Sequence, residues 1–583
     1  MQWVLATAFL AAVSGSAVAK TPAEDFQQIV DDEWEARMQA SPLFATQVGD
    51  HRFDDRLPSV SIADQLEHEK QDRAFLARLD AIDRGKLADI QRVNYDIFHR
   101  ILSDRIEEYE FKTYLMPITN REGFHTSFAQ LADRVPLRTT QDYENYCARL
   151  EAFKAYAGQY IDVMRAGIKG GYVLPKIVLD GWEAAVDPHV VDDPTQSLLY
   201  KPFASFPETV AEKDRARLTA RGRKAITESV VPGYRAFRDF MAKEYVPACR
   251  ESIGASDLPN GKAYYEHCVR YYTTLDLTPK QVHETGLAEV KRIRAEMDQV
   301  IAETGFKGTF PEFLEFLRTD KQFYVDTPEQ LMKEAALICK KMDGQLPTLF
   351  KTLPRMSYGL KQVPDFMADK TSTAYYEDPT GDGTRAGFYY VNTSHLDARP
   401  LYELEALSLH EAVPGHHLQV AIMYELQDVP NFRRYDWFTA FVEGWGLYSE
   451  RLGLEVGFYQ DPYSNFGRLT YEMWRAMRLV VDTGMHYFGW TRQQAIDYMA
   501  ANGALSMHNV TTEVDRYISW PGQALAYKTG ELKFRELRAY ATRELGDKFD
   551  VREFHDICLW NGGVPLQVLD ANVKAWVEKK KQE

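Results

Sequence analysis

The amino-acid sequence predicts a mainly α-helical protein with one small β-sheet. Long charged stretches carry apolar residues at every third or fourth position, as in residues 87–97, and this spacing places apolar side chains on one face of a helix. Short aromatic and β-branched runs separated by turn residues mark the region between Phe366 and Pro400. Of the 583 residues, 45% are hydrophobic and 26% are charged, a balance typical of folded globular proteins.

The first nineteen residues resemble a secretory signal peptide. An apolar stretch at residues 4–13 is followed by small residues that end in Ala17-Val18-Ala19, the pattern that signal peptidase cleaves. We therefore expect residues 1–19 to be removed and the mature protein to be periplasmic or secreted. No later run reaches the roughly 18 apolar residues of a membrane span, so we expect no stable membrane insertion after cleavage.

Net charge and cysteine content argue against two classes of protein. The formal charge of −16 disfavours a general affinity for nucleic acids. The five cysteines are too few and too scattered for a disulfide scaffold, and none forms a C-x-x-C pair. In an oxidising compartment, Cys249 and Cys268 are near enough in sequence to form one bridge; the alternative is that all five are small buried hydrophobic residues.

The pattern divides the mature chain into two regions that we expect to form one continuous fold. Residues 20–270 form an N-terminal helical region, in which turn residues interrupt the pattern at 54–61, at 170–171 and at 188–207. Residues 271–583 form the region that carries the reactive side chains. Its first helical series begins at Thr278, where Pro279 suits the first turn of a helix.

Two strands are predicted shortly before the helix with the reactive side chains. They correspond to the aromatic and β-branched runs at residues 372–376 and 387–393. A helix is expected from about Arg399, followed by further helices to about Thr542 and a last helix from Leu566. Because the second strand leads directly into the reactive helix, we expect its free edge to pair with an extended peptide.

Residues 407–419 nearly match the zinc-binding motif H-E-x-x-H. In that motif two histidines one helical turn apart bind Zn²⁺, and the glutamate between them activates water. Here His410 and Glu411 are followed by histidines only at 416 and 417. On a regular helix, His416 would lie about 240° around the axis from His410, and His417 would lie about 10 Å farther along it. A regular helix therefore cannot bring either one to the same ion.

The inserted Pro414-Gly415 pair offers a solution. Pro414 cannot donate to the His410 carbonyl, and Gly415 can adopt a positive φ at little steric cost. We expect the helix to kink or bulge there, so that His416 becomes the second metal ligand. His417 is predicted to contact the substrate, and it stays the alternative ligand.

Glu443 is predicted to be the third ligand. It lies mid-helix among aromatic residues, where an unpaired carboxylate is costly, and His₂Glu zinc sites take their third ligand from such a residue. The alternative is that it pairs with a buried arginine. Gly444 and Gly446 indicate close approach of another helix. Glu450, two turns along, is a second choice of ligand or a carboxylate that accepts a hydrogen bond from a histidine.

These segments resemble the bacterial domain-of-unknown-function family 885. The resemblance rests on residues 410–417 and 443–445, on the Arg-Ala-Met-Arg segment at 475–484, and on residues 517–530. It implies a large multi-helix architecture similar to the gluzincin metallopeptidases. It also implies that His410, a second histidine and Glu443 bind zinc, with Glu411 as the general base.

Three further residues complete the predicted site. Tyr527 is predicted to donate a hydrogen bond to the oxyanion that forms during hydrolysis, and the alternative is a packed structural tyrosine. Arg475 and Arg478 lie on one face of a helix and are predicted to bind a substrate carboxylate. Their alternative is ion pairing in the core, with Asp482 or Glu472.

The sequence therefore predicts an exported zinc-dependent peptidase that hydrolyses short peptides. One alternative is a zinc amidase acting on a non-peptide or peptidoglycan-derived amide. Another is a catalytically weak protein that binds peptides or metal. Glu411 beside His410 favours an enzyme, because a protein that only binds has no need of a general base.

Overall fold

The computed structural model describes residues 20–364, 368, 372–379, 383 and 385–583. The predicted signal peptide, residues 1–19, lies outside the described residues. As the sequence predicts, the described chain is mainly helical and contains a small β-sheet. Within these described ranges, no helix combines the length and the apolar character needed to span a bilayer.

The N-terminal region consists of helices joined by turns and short 3₁₀ segments. Two predicted breaks are confirmed, because no α-helix lies between Val48 and Ile62 and one helix ends at Gly170. The third, at 188–207, contains short 3₁₀ turns and one four-residue α-helix, Lys201–Ala204. The α-helices described in this region are Pro22–Ala40, Pro42–Val48, Ile62–Asp80, Asp89–Glu110, Phe124–Ala129, Leu131–Arg134, Thr140–Gly170, Lys201–Ala204, Glu212–Ala225, Val231–Phe240, Val246–Ala248 and Gly261–Thr273.

The remaining helices surround the predicted site. The expected helix near Arg399 begins at Leu404, after a 3₁₀ turn at Leu401–Glu403. The α-helices described here are Pro279–Glu303, Phe310–Thr319, Pro328–Asp343, Leu346–Leu349, Leu404–Glu411, His416–Glu425, Phe432–Tyr435, Thr439–Leu452, Pro462–His486, Arg492–Asn502, Met507–Ser519, Ala526–Leu545, Val551–Leu559 and Leu566–Gln582. Proline occupies the first position of several of them, including Pro279 as predicted.

The sheet has three described strands: β1 (Tyr358–Gln362), β2 (Ala374–Glu377) and β3 (Gly387–Val391). Strand β3 lies in the centre, parallel to β1 and antiparallel to β2. Both edges of β3 are therefore hydrogen-bonded to neighbouring strands. The expectation that β3 offers a free edge to a peptide is wrong, because β1, which the sequence pattern did not reveal, occupies the second edge.

Two large hydrophobic clusters form the core. The first contains side chains from Thr140–Gly170, Pro279–Glu303 and Pro462–His486. The second surrounds the helices Leu404–Glu411 and Thr439–Leu452. Each cluster includes residues from both sides of position 270. The division of the chain at that position stays a prediction.

The cysteines are all free. Cys268 is buried in a small cluster with Tyr265 and Leu525, whereas Cys249 packs against the first large cluster. Burial raises the pKa of the Cys249 thiol to about 12, so this thiol stays protonated near neutral pH. Of the two alternatives that the sequence left open, the structure shows the one without a bridge, in which both residues pack in the interior.

Two helices of the second cluster cross at a pair of glycines. A Cβ atom on Gly444, in Thr439–Leu452, would lie 2.5 Å from the Cα atom of Gly530, in Ala526–Leu545. Side chains at this crossing would force the helices apart. The close helix approach predicted at Gly444 is therefore confirmed.

We predict that Gly444→Ala lowers the free energy of unfolding by about 1–3 kcal/mol, the usual cost of overpacking a core. Gly158→Ala is the matched control, because a Cβ there meets no atom within 4 Å and the residue lies within the helix Thr140–Gly170. We expect this control to be neutral or stabilising by up to about 1 kcal/mol. Urea unfolding of both variants measures the difference, and equal effects would contradict the crossing argument.

Candidate metal centre

The helix that carries His410 ends at the next residue. Leu404–Glu411 is followed by a tight turn at residues 412–415, which includes a cis Val413-Pro414 bond, and a new helix begins at His416. Pro414 has no N–H with which to continue the first helix. The predicted break is present, but it is an end and a restart of the helix and not a bulge within it.

Gly415 provides space for the turn. Its φ is −77°, so the positive φ expected from the sequence is wrong. A Cβ atom at this position would lie 1.9 Å from the His410 carbonyl oxygen, which only glycine allows. The Trp445 indole N–H donates to the Pro414 carbonyl at 2.8 Å and attaches the turn to the helix Thr439–Leu452. The turn thereby places His416 opposite His410.

His410, His416 and Glu443 form a cluster that can hold a metal ion. One ligand atom from each residue lies within 4.8 Å of the other two. Glu443 Oε2 is 3.6 Å from His410 Nε2 and 3.5 Å from His416 Nε2, which is longer than an ordinary hydrogen bond. Ligand atoms at 2.0–2.2 Å from a tetrahedral zinc ion are separated by about 3.3–3.6 Å. The donor types and their spacing therefore fit a four-coordinate ion.

The carboxylates and imidazoles of the cluster stabilise one another's charged forms. Burial would raise the pKa of Glu443, but the His410 and His416 imidazoles lower it well below its usual range. Burial would lower the pKa of His410, whereas Glu443 and Glu450 raise it to about 9. With a pKa of about 9, His410 is protonated near neutral pH. A metal ion must displace that proton, so metal binding and protonation compete.

Glu450 orients the His410 ring. His410 Nδ1 donates to Glu450 Oε1 at 2.8 Å, which leaves Nε2 directed at Glu443. Of the two roles that the sequence left open for Glu450, the structure shows the one in which it accepts a histidine hydrogen bond. Gly446 makes room for the same ring, because a Cβ there would lie 2.8 Å from the His410 Cε1 atom.

His417 points to other partners. Its Nε2 atom lies 3.2 Å from the Met356 carbonyl oxygen, and its Nδ1 atom lies 2.9 Å from the Tyr376 hydroxyl. Because the carbonyl can only accept, Nε2 carries the hydrogen and Nδ1 accepts from Tyr376. Burial lowers the pKa of His417 to about 4. His417 therefore attaches its helix to β2, and its role in substrate binding stays a prediction.

The two predicted catalytic residues occupy different surroundings. Glu411 follows His410 at the end of the first helix and is half-buried. Tyr527 is buried, and its hydroxyl lies 3.4 Å from Arg516 Nη2 and 3.5 Å from Gln523 Nε2. The Arg478 guanidinium lies 4.3 Å from the centre of the Tyr527 ring. The catalytic roles of Glu411 and Tyr527 stay predictions.

Arg475 and Arg478 are both buried and paired with carboxylates. Arg475 Nη2 lies 3.8 Å from Glu450 Oε1. Arg478 Nη2 donates to Glu513 at 3.1 Å, and its Nε donates to the Tyr517 hydroxyl at 2.8 Å. Substrate binding by the two arginines stays a prediction.

The ion pairing in the core that the sequence offered as the alternative is present, but Arg475 pairs with Glu450 and Arg478 with Glu513, and not with the example partners Asp482 and Glu472. Asp482 accepts hydrogen bonds from the Tyr265 hydroxyl at 2.5 Å and from the Gly522 amide at 3.1 Å. Glu472 accepts from Lys528 at 2.8 Å. Both carboxylates lie close to the arginines in sequence, but other helices supply nearer donors.

A family model described as "Bacterial protein of unknown function (DUF885)" matches residues 42–573. The chain belongs to this family. The resemblance seen in the sequence is thereby confirmed at the level of the family. No curated protein matches the chain.

Two solved structures share this fold. A candidate lipoprotein from Colwellia psychrerythraea has a TM-score of 0.90 and 27% identity, and the match covers 96% of this chain and 100% of that one. A candidate lipoprotein of unknown function from Shewanella oneidensis has a TM-score of 0.71 and 19% identity over 95% of this chain and 99% of that one. Metallocarboxypeptidase 1 of Trypanosoma cruzi reaches a TM-score of only 0.34 with 10% identity, although the match covers 96% of this chain and 99% of that one.

We predict that His410→Ala, His416→Ala and Glu443→Gln each lower the metal content of the purified protein, because each removes one of the three ligands. His417→Ala is the matched control, and we expect it to lower stability but to retain metal, since among the described residues the His417 ring bonds to Tyr376 and Met356. Inductively coupled plasma mass spectrometry measures the metal. Metal loss in His417→Ala together with metal retention in His416→Ala would contradict the proposed ligand set.

Proposed function

We propose that this protein is an exported zinc-dependent peptidase that hydrolyses short peptides. The observation that supports this most directly is the cluster of His410, His416 and Glu443, whose donor atoms and spacing suit zinc. The predicted signal peptide and the description of two similar structures as candidate lipoproteins support export. The side chains of His410, His416 and Glu443 are only 3%, 12% and 18% exposed, which favours short peptides over folded proteins as substrates.

The chain's own residues supply the proton transfers and the substrate contacts of the proposed reaction. Held by His410, His416 and Glu443, a zinc ion would polarise the substrate carbonyl and would make water a stronger nucleophile at neutral pH. Glu411 accepts a proton from the attacking water and passes it to the leaving amine. Tyr527 donates a hydrogen bond to the carbonyl oxygen as negative charge develops on it. Arg478 binds a substrate carboxylate through its guanidinium.

Glu411→Gln distinguishes an enzyme from a protein that only binds. The substitution keeps the shape of the side chain and removes the base, so metal should stay bound while turnover falls by at least about 10²-fold. Turnover is measured on a library of short peptides, and metal content is measured on the same sample. Unchanged turnover with retained metal would exclude Glu411 as the base.

Tyr527→Phe should lower kcat much more than it raises KM, because the lost hydrogen bond forms mainly in the transition state. The expected loss is about 2–4 kcal/mol, the scale for one oxyanion donor. Tyr234→Phe is the structural control: it removes a buried hydroxyl that donates to the His125 carbonyl at 2.7 Å in the first hydrophobic cluster. It should lower only the melting temperature, and the same pattern in Tyr527→Phe would remove Tyr527 from the mechanism.

A further inference from the structure

We infer that Arg475 is a positioning residue for the metal centre, where it holds Glu450 so that Glu450 can hold His410. The inference rests on the proposed function, because the metal concerned is the zinc of that site. It assigns Arg475 a role different from the substrate binding predicted from its sequence. The positioning role belongs to Arg475 and not to Arg478, its neighbour one helical turn away.

The side chains of Arg475, Glu450 and the proposed metal ligand His410 lie next to one another in that order. Glu450 Oε1 accepts from His410 Nδ1 at 2.8 Å, and Arg475 Nη2 lies 3.8 Å from the same oxygen. Glu450 is 1% exposed and Arg475 is 6% exposed. A buried carboxylate without a cation is strongly destabilising, and Arg475 is positioned to supply that charge.

Unpaired atoms on both residues support the assignment. Among the described residues, Glu450 Oε2 and Arg475 Nε are buried without a hydrogen-bond partner. One is an acceptor and the other a donor, and they belong to neighbouring side chains. If Arg475 approached Glu450 more closely than the present 3.8 Å, Oε2 could accept from Arg475 while Oε1 continues to accept from His410. Each carboxylate oxygen would then have its own partner.

Arg475 is itself restrained on its helix. Its guanidinium lies 4.7 Å from the centre of the Tyr471 ring and 4.5 Å from the centre of the Trp474 ring. Its Nη1 lies 3.5 Å from the Tyr471 carbonyl oxygen. Such stacking limits the rotamers of the arginine. A restrained cation can in turn restrain Glu450.

Arg475 adds positive charge beside a carboxylate-rich centre. Glu443 and Glu450 contact His410, and Glu411 follows it in the chain. Removing Arg475 would leave the buried Glu450 carboxylate without this cation, which a low-dielectric interior disfavours. Glu450 would then no longer be held in the position from which it orients His410.

The test is the zinc affinity of the full-length chain, measured by competition with a chelator. We expect Arg475→Gln to weaken zinc binding by about 10–100-fold, the usual effect of removing a residue that supports a ligand. Arg475→Lys should restore part of the affinity, because it keeps the charge but not the fork of donors. In the Glu450→Gln background, Arg475→Gln should cause no further loss, because both act through one path.

Arg468→Gln is the matched control. Arg468 is a buried arginine on the same helix, but it pairs with Glu472 at 3.1 Å and not with Glu450. We expect it to lower the melting temperature and to leave zinc affinity unchanged. If Arg475→Gln does not fold, the comparison of Arg475→Lys with the wild type decides the question. The Arg475→Lys protein should bind zinc more weakly than the wild-type protein.

The outcomes separate this inference from the proposed function. Wild-type zinc affinity in Arg475→Gln, or in Arg475→Lys if only that variant folds, would overturn the inference. The inference would also be overturned if Arg475→Gln weakened zinc binding as much in the Glu450→Gln background as in the wild type. If all variants behave as expected but the wild type cleaves no peptide, only the proposed function fails. A wild-type protein that binds no zinc would overturn both.

Discussion

Burial of the His410 imidazole between two carboxylates is the constraint on which the rest of the site depends. The ring is 2% exposed and contacts both Glu443 and Glu450, so the helix that carries it must approach Thr439–Leu452 closely. Gly446 provides the space for the ring, and Gly444 lets the same helix approach Ala526–Leu545. A larger side chain at Gly446 would push against the His410 ring, and one at Gly444 would force the two helices apart.

A second cluster of buried charges holds the helices behind this centre. Lys528 is fully buried and lies 3.0 Å from Glu289, 2.8 Å from Glu472 and 2.9 Å from Glu531. These residues join Pro279–Glu303, Pro462–His486 and Ala526–Leu545, and the second of these helices carries Arg475. A satisfied polar network of this kind favours one packing arrangement over its alternatives. The fixed helix gives Arg475 a stable position beside Glu450.

The sheet supports the second histidine helix. Strand β3 is enclosed between β1 and β2, and Tyr376 on β2 donates to His417. His417 also donates to the Met356 carbonyl just before β1. The sheet thereby fixes the start of His416–Glu425, where His416 faces the cluster. Neighbouring histidines in the sequence thus have separate partners: His416 faces His410 and Glu443, and His417 faces the sheet.

The sequence alone determined the helical class, the main breaks and the candidate ligands. These depend on local properties: the spacing of apolar residues, the missing N–H of proline, and the types of side chain at 410, 411, 416 and 443. The tertiary structure decided which partners the side chains meet. The position of β3, the space that requires Gly415, and the pairing of Arg475 with Glu450 all arise from contacts between distant parts of the chain. Local periodicity carries no information about such contacts, so only the packing of the helices revealed them.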